Sequence, residues 1–318
     1  MKTHILPAAL LLAVLPAFAD TPSENGGTWA DARRDGIKNT LDRWAHHMDD
    51  WFGEPDPDRP ASANLRVMLD NRWNKHDGYS LEPRVRGRVK LPVLQRKLNV
   101  VFGDDSIDDE LSQDAQLYRP EYVPADKTFD GSRTRENNSS IALRWSDRIE
   151  EAAGIQTDAD IGIRSGDDLY TRVKIAKNWQ LSDTASTRVE QIYRYGLDSK
   201  HYVRTNWEVR RGEAGKPFLA NDFHVQYARK DSDDWSWGDS AYRQHDFSGH
   251  KRLNYGLHAG GKIENRKASL NSYGPFASWR QPVWRDWLFA QAEVNYLNDK
   301  EKNRSHHIGT LVRMEALF

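Results

Sequence analysis

The sequence predicts an all-β fold: an antiparallel transmembrane β-barrel of about fourteen strands, with one short helix ahead of it. Three observations carry that reading. The chain alternates apolar and polar residues with a period of two from about residue 61 onward, as strands with two unlike faces do. Its mean hydropathy is −0.84, yet it holds 12 Trp and 12 Tyr, far too aromatic for a disordered chain. A barrel reconciles the two, because only alternate residues face lipid. The last stretch, His306 to Phe318, is itself a strand: Ile308, Thr310, Val312, Met314, Ala316 and Phe318 form one face. His307, Gly309, Arg313 and Glu315 form the other, with Leu311 and Leu317.

The start of the chain reads as an export signal. Met1 to His4 is a short basic region, Ile5 to Leu15 is apolar, and Ala17-Phe18-Ala19 offers a signal-peptidase site. The apolar run is shorter than the roughly 20 residues that a spanning helix needs. The expected organisation is a signal peptide over residues 1–19, a periplasmic segment over 20–60 and the barrel over 61–318. There is no cysteine, which removes disulfides and thiolate metal sites. A net charge of −1 argues against a nucleic-acid partner.

Within the periplasmic segment Thr28 can cap a helix, with Asp31 at the capping-box position. Ile37, Leu41, Trp44, Met48 and Trp51 then form one helical stripe. Pro55, Pro57 and Pro60 end it. The stripe is read as packing on the barrel rim or its periplasmic mouth; a plug, a membrane-surface helix and a partner helix are the other readings.

The strands follow in order. Leu65, Val67, Leu69, Asn71 and Trp73 alternate with Arg66, Met68, Asp70 and Arg72. Leu81, Val85, Val89 and Leu91 alternate with Arg84, Arg86, Arg88 and Lys90, and Leu98, Val100 and Phe102 come next. A long polar segment, Gly103 to Glu136, interrupts the pattern. Outward faces then run through Ile141–Trp145, Thr157–Ile163, Leu169–Trp179, Thr187–Tyr195, Val203–Val209 and Leu219–Tyr227. Trp235 to Phe247 shows no clear face, and Pro275 sits awkwardly between Tyr273 and Ala277. Leu253–Ala259, Leu288–Tyr296 and the closing strand complete the count. Twelve or sixteen strands also fit, since each barrel strand gives a weak signal.

An even count returns both ends to one side. The short connections on that side are expected at Pro92–Arg96, Gln180–Thr184, Gly212–Lys216, Ser248–Lys251 and Arg285–Asp286, with the longer set opposite. Trp73, Trp145, Trp179, Tyr195 and Tyr296 end strands and would form aromatic girdles. A soluble exported β-sandwich would alternate as well. It leaves the apolar last strand and the aromatic strand ends unexplained.

The stretch from Leu253 to Phe318 resembles the C-terminal part of an uncharacterised group of Gram-negative outer-membrane β-barrels. Leu253-Asn254-Tyr255-Gly256, Arg285-Asp286-Trp287-Leu288-Phe289 and Arg313-Met314-Glu315-Ala316-Leu317-Phe318 carry the likeness, as does Lys97 to Asp105 upstream. The resemblance implies the cell outer membrane as location. It also implies outer-membrane lipid, periplasmic chaperones and the barrel-assembly machinery as partners, and Phe318 as the C-terminal assembly signal. It implies no activity.

The inward positions are charged. Arg84, Arg86, Arg88 and Lys90 form a basic ladder, and Arg172, Lys174, Arg204, Glu208, Asp222, His224, Glu293, Arg313 and Glu315 are expected in the same lumen. A charge at the lipid-facing midplane would cost about 2–4 kcal/mol, which places them inside. Two functions fit: a porin-like channel for small polar or anionic solutes, favoured by the ladder, and a closed-lumen structural or interaction barrel sealed by ion pairs. An outer-membrane hydrolase is a third. His201, His224 and His245 have Ser and Asp nearby, but no spacing ties them into a catalytic set, so the chain is read as non-enzymatic. Asp104, Asp105, Asp108 and Asp109 are weak candidates for a hard cation, better read as a solvated charge run. G-x-S-x-G and a glycine-rich phosphate loop are absent, so no cofactor is implied.

Overall fold

A computed structural model describes residues 29–50, 61–91, 98–104, 129–149, 154–165, 167–229 and 233–318. The export signal, Thr28, Trp51 and Asp105 to Asp109 lie outside the described residues.

Fourteen strands of the described residues close into an antiparallel barrel. They are β1 (Ser62–Asn74), β2 (Gly78–Lys90), β3 (Leu98–Gly103), β4 (Ser140–Ile149), β5 (Ile155–Arg164), β6 (Asp168–Ser182) and β7 (Ala185–Gly196). They continue with β8 (Lys200–Arg211), β9 (Phe218–Arg229), β10 (Asp233–Phe247), β11 (Lys251–Glu264), β13 (Ser272–Pro282), β14 (Leu288–Asp299) and β15 (Arg304–Leu317). The remaining strand, β12 (Lys267–Ala268), is a two-residue ribbon beside the end of β11. Each barrel strand pairs with its neighbours in sequence, and β1 pairs with β15 to shut the ring. Trp73 lies opposite Thr310, and Arg66 opposite Leu317. Beyond that ladder, Leu65 and Phe318 exchange backbone bonds of 3.1 and 2.8 Å. The Phe318 ring lies 6.1 Å from that of Trp287.

The predicted faces hold across the described strands. Met68, Asp70, Arg84, Arg144, Arg172, Arg204, Glu293 and Arg313 are buried within the barrel, while Leu69, Ile141, Ile161, Val173, Trp207 and Ile308 are exposed on its outer wall. Of the connections expected at the end that holds the start of β1 and the end of β15, here the terminal rim, the four that are described fall there, and Pro92–Arg96 lies outside the described residues. The opposite rim differs from expectation. Its described turns at 75–77, 197–199 and 300–303 are as tight as those of the terminal rim. Aromatic pairs mark both ends of the wall: Trp73–Tyr79 and Tyr227–Trp235 at the opposite rim, Phe247–Trp279 and Trp287–Phe318 at the terminal rim.

Two irregular places have local causes. In β10, Tyr242 is buried inward, where it meets Asp222, so Asp239, Arg243 and His245 fall on the outer wall. Polar residues outside and Tyr242 inside erase the alternation. Asn221 on β9 donates to Asp239 at 2.7 Å and partly answers that outer carboxylate. In β13, Pro275 pairs with Leu257 of β11, but the ladder to β14 begins one residue later, at Phe276. The missing N–H therefore falls where no β14 partner is needed.

Pro83 is accommodated similarly. β3 pairs with Arg86 to Lys90, Asp104 N donates to Val85 O at 2.6 Å, and beyond that no described strand pairs with this edge of β2. Asn138 caps it: its side chain accepts from Val85 N at 2.6 Å and donates to Pro83 O at 2.8 Å. It follows a short helix, α2 (Gly131–Asn137), whose start is capped by Asp130 through Ser132 N at 3.0 Å.

The N-terminal helix, α1 (Trp29–Asp50), lies outside the barrel wall. Ala45 is buried with Ala61, Ala63, Val89 and Leu91, all on the outer faces of β1 and β2 or their ends, and Leu41, Val100 and Phe102 pack around them. The Phe102 ring lies over Gly87, where a Cβ would come within 2.0 Å of it. Gly87 thus lets the ring sink into the wall. Trp44 then meets Phe102 edge-on at 6.2 Å. At its other end the helix reaches the β13–β14 turn, where Arg285 donates to Asp31 at 3.1 and 2.9 Å. The helix straps the terminal rim from that turn across the closing seam to β3. This answers the question left by the sequence: the described helix is neither a plug nor a cover for the mouth.

Deleting Phe318 removes its paired bonds to Leu65, and Phe318→Asp removes its ring from Trp287. Both variants are expected to lower the yield of closed barrel. The readout is loss of the heat-modifiable folded band on a denaturing gel, against wild type expressed alongside.

Candidate functional site

The charged interior follows from period two: every second residue of each strand points inward. Neighbouring strands bring those residues into rows. Asp70 of β1 faces Arg313 of β15 directly across the ladder. Arg313 donates to it twice, at 2.5 Å from Nε and 2.7 Å from Nη2, a bidentate pair. Arg72 and Arg84 stand 3.5 and 3.7 Å from the same carboxylate. Asp70 is 0% exposed.

The basic ladder is embedded in this cluster. Arg84 also pairs with Asp104, which is buried at the end of β3, and Arg86 donates to the Asp104 carbonyl at 3.1 Å. Arg88 lies half-buried further along β2, and Lys90 is exposed at the strand end. Toward the terminal rim, Glu315 holds Arg66 and, at 3.0 Å, Arg280. The Arg280 guanidinium stacks 3.8 Å above Phe289.

A second set runs along β4 to β10. Asp160 accepts from Arg144 at 2.8 and 2.7 Å and from Arg172 at 3.0 Å. Lys174 pairs with Asp158 at 3.2 Å. Glu190 takes Arg188 at 2.9 Å and Asn206 at 3.1 Å, while Arg204 donates to Asn206 at 2.7 Å. Glu208 pairs with Arg210 at 2.6 Å, and Tyr242 donates to Asp222 at 3.0 Å. The His224 ring lies against Gly238, where a Cβ would come within 2.5 Å of it. Glu293 on β14 is buried, and neither of its carboxylate oxygens has a hydrogen-bond partner among the described residues.

Of the residues expected in the lumen, Arg84, Arg86, Arg172, Lys174, Arg204, Glu208, Asp222, Arg313 and Glu315 have polar partners on the same or neighbouring strands, whereas Lys90 is exposed at a strand end and Glu293 has no hydrogen-bond partner among the described residues. Sequence reading missed their partners. Asp104 was placed in a loop charge run and instead turns inward; the Asn206 and Tyr242 contacts gave no signal in the pattern. The three histidines considered for catalysis do not converge. His201 stands on the outer wall 3.1 Å from the Tyr193 hydroxyl, His245 stacks on Phe247 and Tyr255, and His224 points inward. Among the described residues, no group of three His, Asp or Glu is arranged to hold a metal ion. Asp104, one of the four cation candidates, is taken up by Arg84.

No family profile and no curated protein matches the sequence. Solved structures do match in backbone. A loop-deletion mutant of OmpT, an outer membrane protein of Vibrio cholerae, is 8% identical with a TM-score of 0.49, over 81% of this chain and 99% of that one. OprB of Pseudomonas putida at high pH is 9% identical with a TM-score of 0.48, over 81% and 94%. The KdgM porin in complex with disordered oligogalacturonate is 11% identical with a TM-score of 0.37, over 79% and 98%.

Two predictions arise here. Asp70→Ala takes the bidentate carboxylate partner from buried Arg313 and is expected to lower unfolding free energy by about 3–5 kcal/mol. Denaturant titration of the folded barrel checks it. The double variant Asp70→Leu with Arg313→Leu removes both charges and is expected to lose less than the single variant.

The second concerns the opposite rim. In the turn before β2, Asp77 receives Arg304 at 2.7 and 2.9 Å and Asn74 at 2.9 Å. The Arg304 hydrogen bonds hold its carboxyl below the usual range, with help from Asn74 and against a smaller opposing effect of burial. A depressed folded pKa means that the stabilisation is fully present above the unfolded value, about 3.9, and is lost as pH falls through the lowered one. Amide exchange in residues 74–78 is expected to be slower in wild type than in Asp77→Asn at neutral pH. The two should converge once the pH falls below the lowered pKa of Asp77.

Proposed function

We propose that this protein is an outer-membrane β-barrel whose inner wall is lined at mid-height by buried, paired arginines and carboxylates that narrow its lumen. It serves as a closed-lumen structural or interaction barrel in this state. The burial of its central charges carries the reading. Eight strands give a barrel that side chains can fill, and sixteen to eighteen leave an aqueous channel. Fourteen strands are wide enough for inward arginines to be wetted. Yet Arg144 is 1% exposed, Arg313 4% and Asp70 0%. Outer-membrane lipid is the partner of the apolar outer wall, and the terminal rim is periplasmic. Phe318, at the closing seam, is the element for the assembly machinery.

A channel for small polar or anionic solutes is the second reading. It is favoured by inward charges away from that central belt: the side chains of Arg188, Arg210 and Arg280 are 20%, 28% and 23% exposed. These groups would form a vestibule on the terminal-rim side of the belt.

Conductance of the folded protein in planar bilayers separates the two. The closed reading expects no steady current from wild type, and openings after Asp70→Ala with Arg84→Ala loosen the belt. Steady ohmic current from wild type would support the channel. In that case Arg86→Glu with Arg88→Glu should move the reversal potential toward cations, less so at high salt, where screening shortens.

A further inference from the structure

The N-terminal helix presents two different surfaces side by side, and only one is used by the barrel. Its less exposed residues are Asp31, Arg34, Leu41, Asp42, Ala45 and His46. At about 100° per residue these share one side of the helix. That side meets the wall: Ala45 and Leu41 enter the apolar cluster, Asp42 accepts from Ala63 N at 3.3 Å, and Asp31 holds Arg285.

The apolar stripe is centred elsewhere. Ile37 and Trp44, seven residues apart, lie just beyond the contact side and remain 42% and 45% exposed. Thr40 and Arg43 occupy the far side and Asn39 the opposite edge from Ile37 and Trp44, all in the open. The helix thus has three sectors in order: barrel, exposed apolar, polar. A helix packed only on protein in water needs two.

Position decides what the middle sector meets. The helix lies against outward residues of β1 to β3, the side of the wall that carries Leu65, Val67 and Leu69. Trp44 is in ring contact with Phe102 of that wall, so its exposed surface continues the outer apolar band without a break. At the other end Arg34 sits 6.0 Å over Trp287, beside Phe318 and the terminal rim. A helix tangent to a membrane barrel at its rim faces protein on one side, acyl chains on the next and water on the third. That is the order of its sectors, and amphipathic helices lie in the interface in this way.

We propose that α1 is a membrane-interface helix, held against the outer wall with Ile37 and Trp44 inserted in the phospholipid leaflet at the terminal rim. The inference rests on the membrane-barrel reading above. It assigns the helix a lipid-binding surface beyond that of the strands.

The absence of native cysteine gives a direct test. Single variants Ile37→Cys, Asn39→Cys and Ile161→Cys carry an environment-sensitive fluorophore on the full chain, folded into phosphatidylcholine vesicles. Ile161 is an outer-wall position of β5. Quenchers are a shallow spin-labelled lipid and aqueous iodide. The expected result is a lipid-quenched label at 37 comparable to that at 161, and an iodide-quenched label at 39. If 161 is quenched by lipid while 37 follows iodide, the helix stands clear of the leaflet and the inference falls, with the barrel reading intact. If 161 also follows iodide, the barrel is not in the membrane and both fall. If the label at 37 is shielded from both quenchers and Ile37→Cys yields a disulfide-linked dimer, the surface is covered by a second copy, which also overturns the proposal.

Discussion

A ring of strands with no edge is the constraint on which the rest of the molecule depends. In a hydrocarbon layer every backbone N–H and C=O must be met within the protein, and a closed sheet does this by pairing the first strand with the last. Here that closure joins residues far apart in the chain, Leu65 with Phe318 and Asp70 with Arg313. Closing the ring also sorts the side chains. Once the register is fixed, a slip of one residue would carry every inward charge to the lipid. The ion pairs between β1 and β15 therefore reinforce the register that the backbone ladder sets. Asp70 opposite Arg313 is satisfied in one register only.

The same sorting explains why the interior is charged and still buried. Residues that must avoid lipid have only the lumen to enter, and in the lumen their nearest neighbours are the inward residues of adjacent strands. An arginine two or three carbons longer than the aspartate beside it reaches across the ladder and lies along the wall, as Arg144 does toward Asp160. Bidentate geometry favours arginine over lysine in such places. Lys174 makes a single contact with Asp158 at 3.2 Å, and Lys90 is exposed at a strand end. Such pairs are weak evidence of stability, since desolvation offsets their attraction. Their clearer effect is to penalise any arrangement that separates them.

How much of this was legible in the sequence depends on the range of the interaction. Alternation is local, so the faces of β1, β4, β6 and β15 could be read from a few residues each. Strand β10 could not, because Tyr242 points inward to Asp222 while Asp239 and Arg243 point out. Pro275 looked like an objection to a strand and is tolerated because the β14 ladder starts after it. The short helix α2 and its Asn138 cap were hidden in a polar segment, since a seven-residue helix has no periodicity to detect. The identities of the lumen residues were readable; their partners were not. Asp104 belongs with Arg84 only because the chain turns inward at the end of β3, and no sequence spacing encodes that turn.

The helix α1 shows the limit from the other direction. Its stripe was evident, and a stripe says that one face is covered without saying by what. Two coverings are available at the rim of a membrane barrel, and they lie at right angles to each other: the wall beside the helix and the leaflet above it. A single stripe wide enough for both reads in sequence like a stripe for one. The division appears only when burial is laid over the helical wheel. Ala45 is enclosed with Val89 and Leu91, while Trp44, its neighbour in sequence, touches Phe102 by an edge and leaves nearly half its surface free. Gly87 is what allows this. A side chain there would lift Phe102 off the wall, and the helix with it. The position of the helix is thus written in a residue on the strand it covers, far from the stripe that seemed to define it.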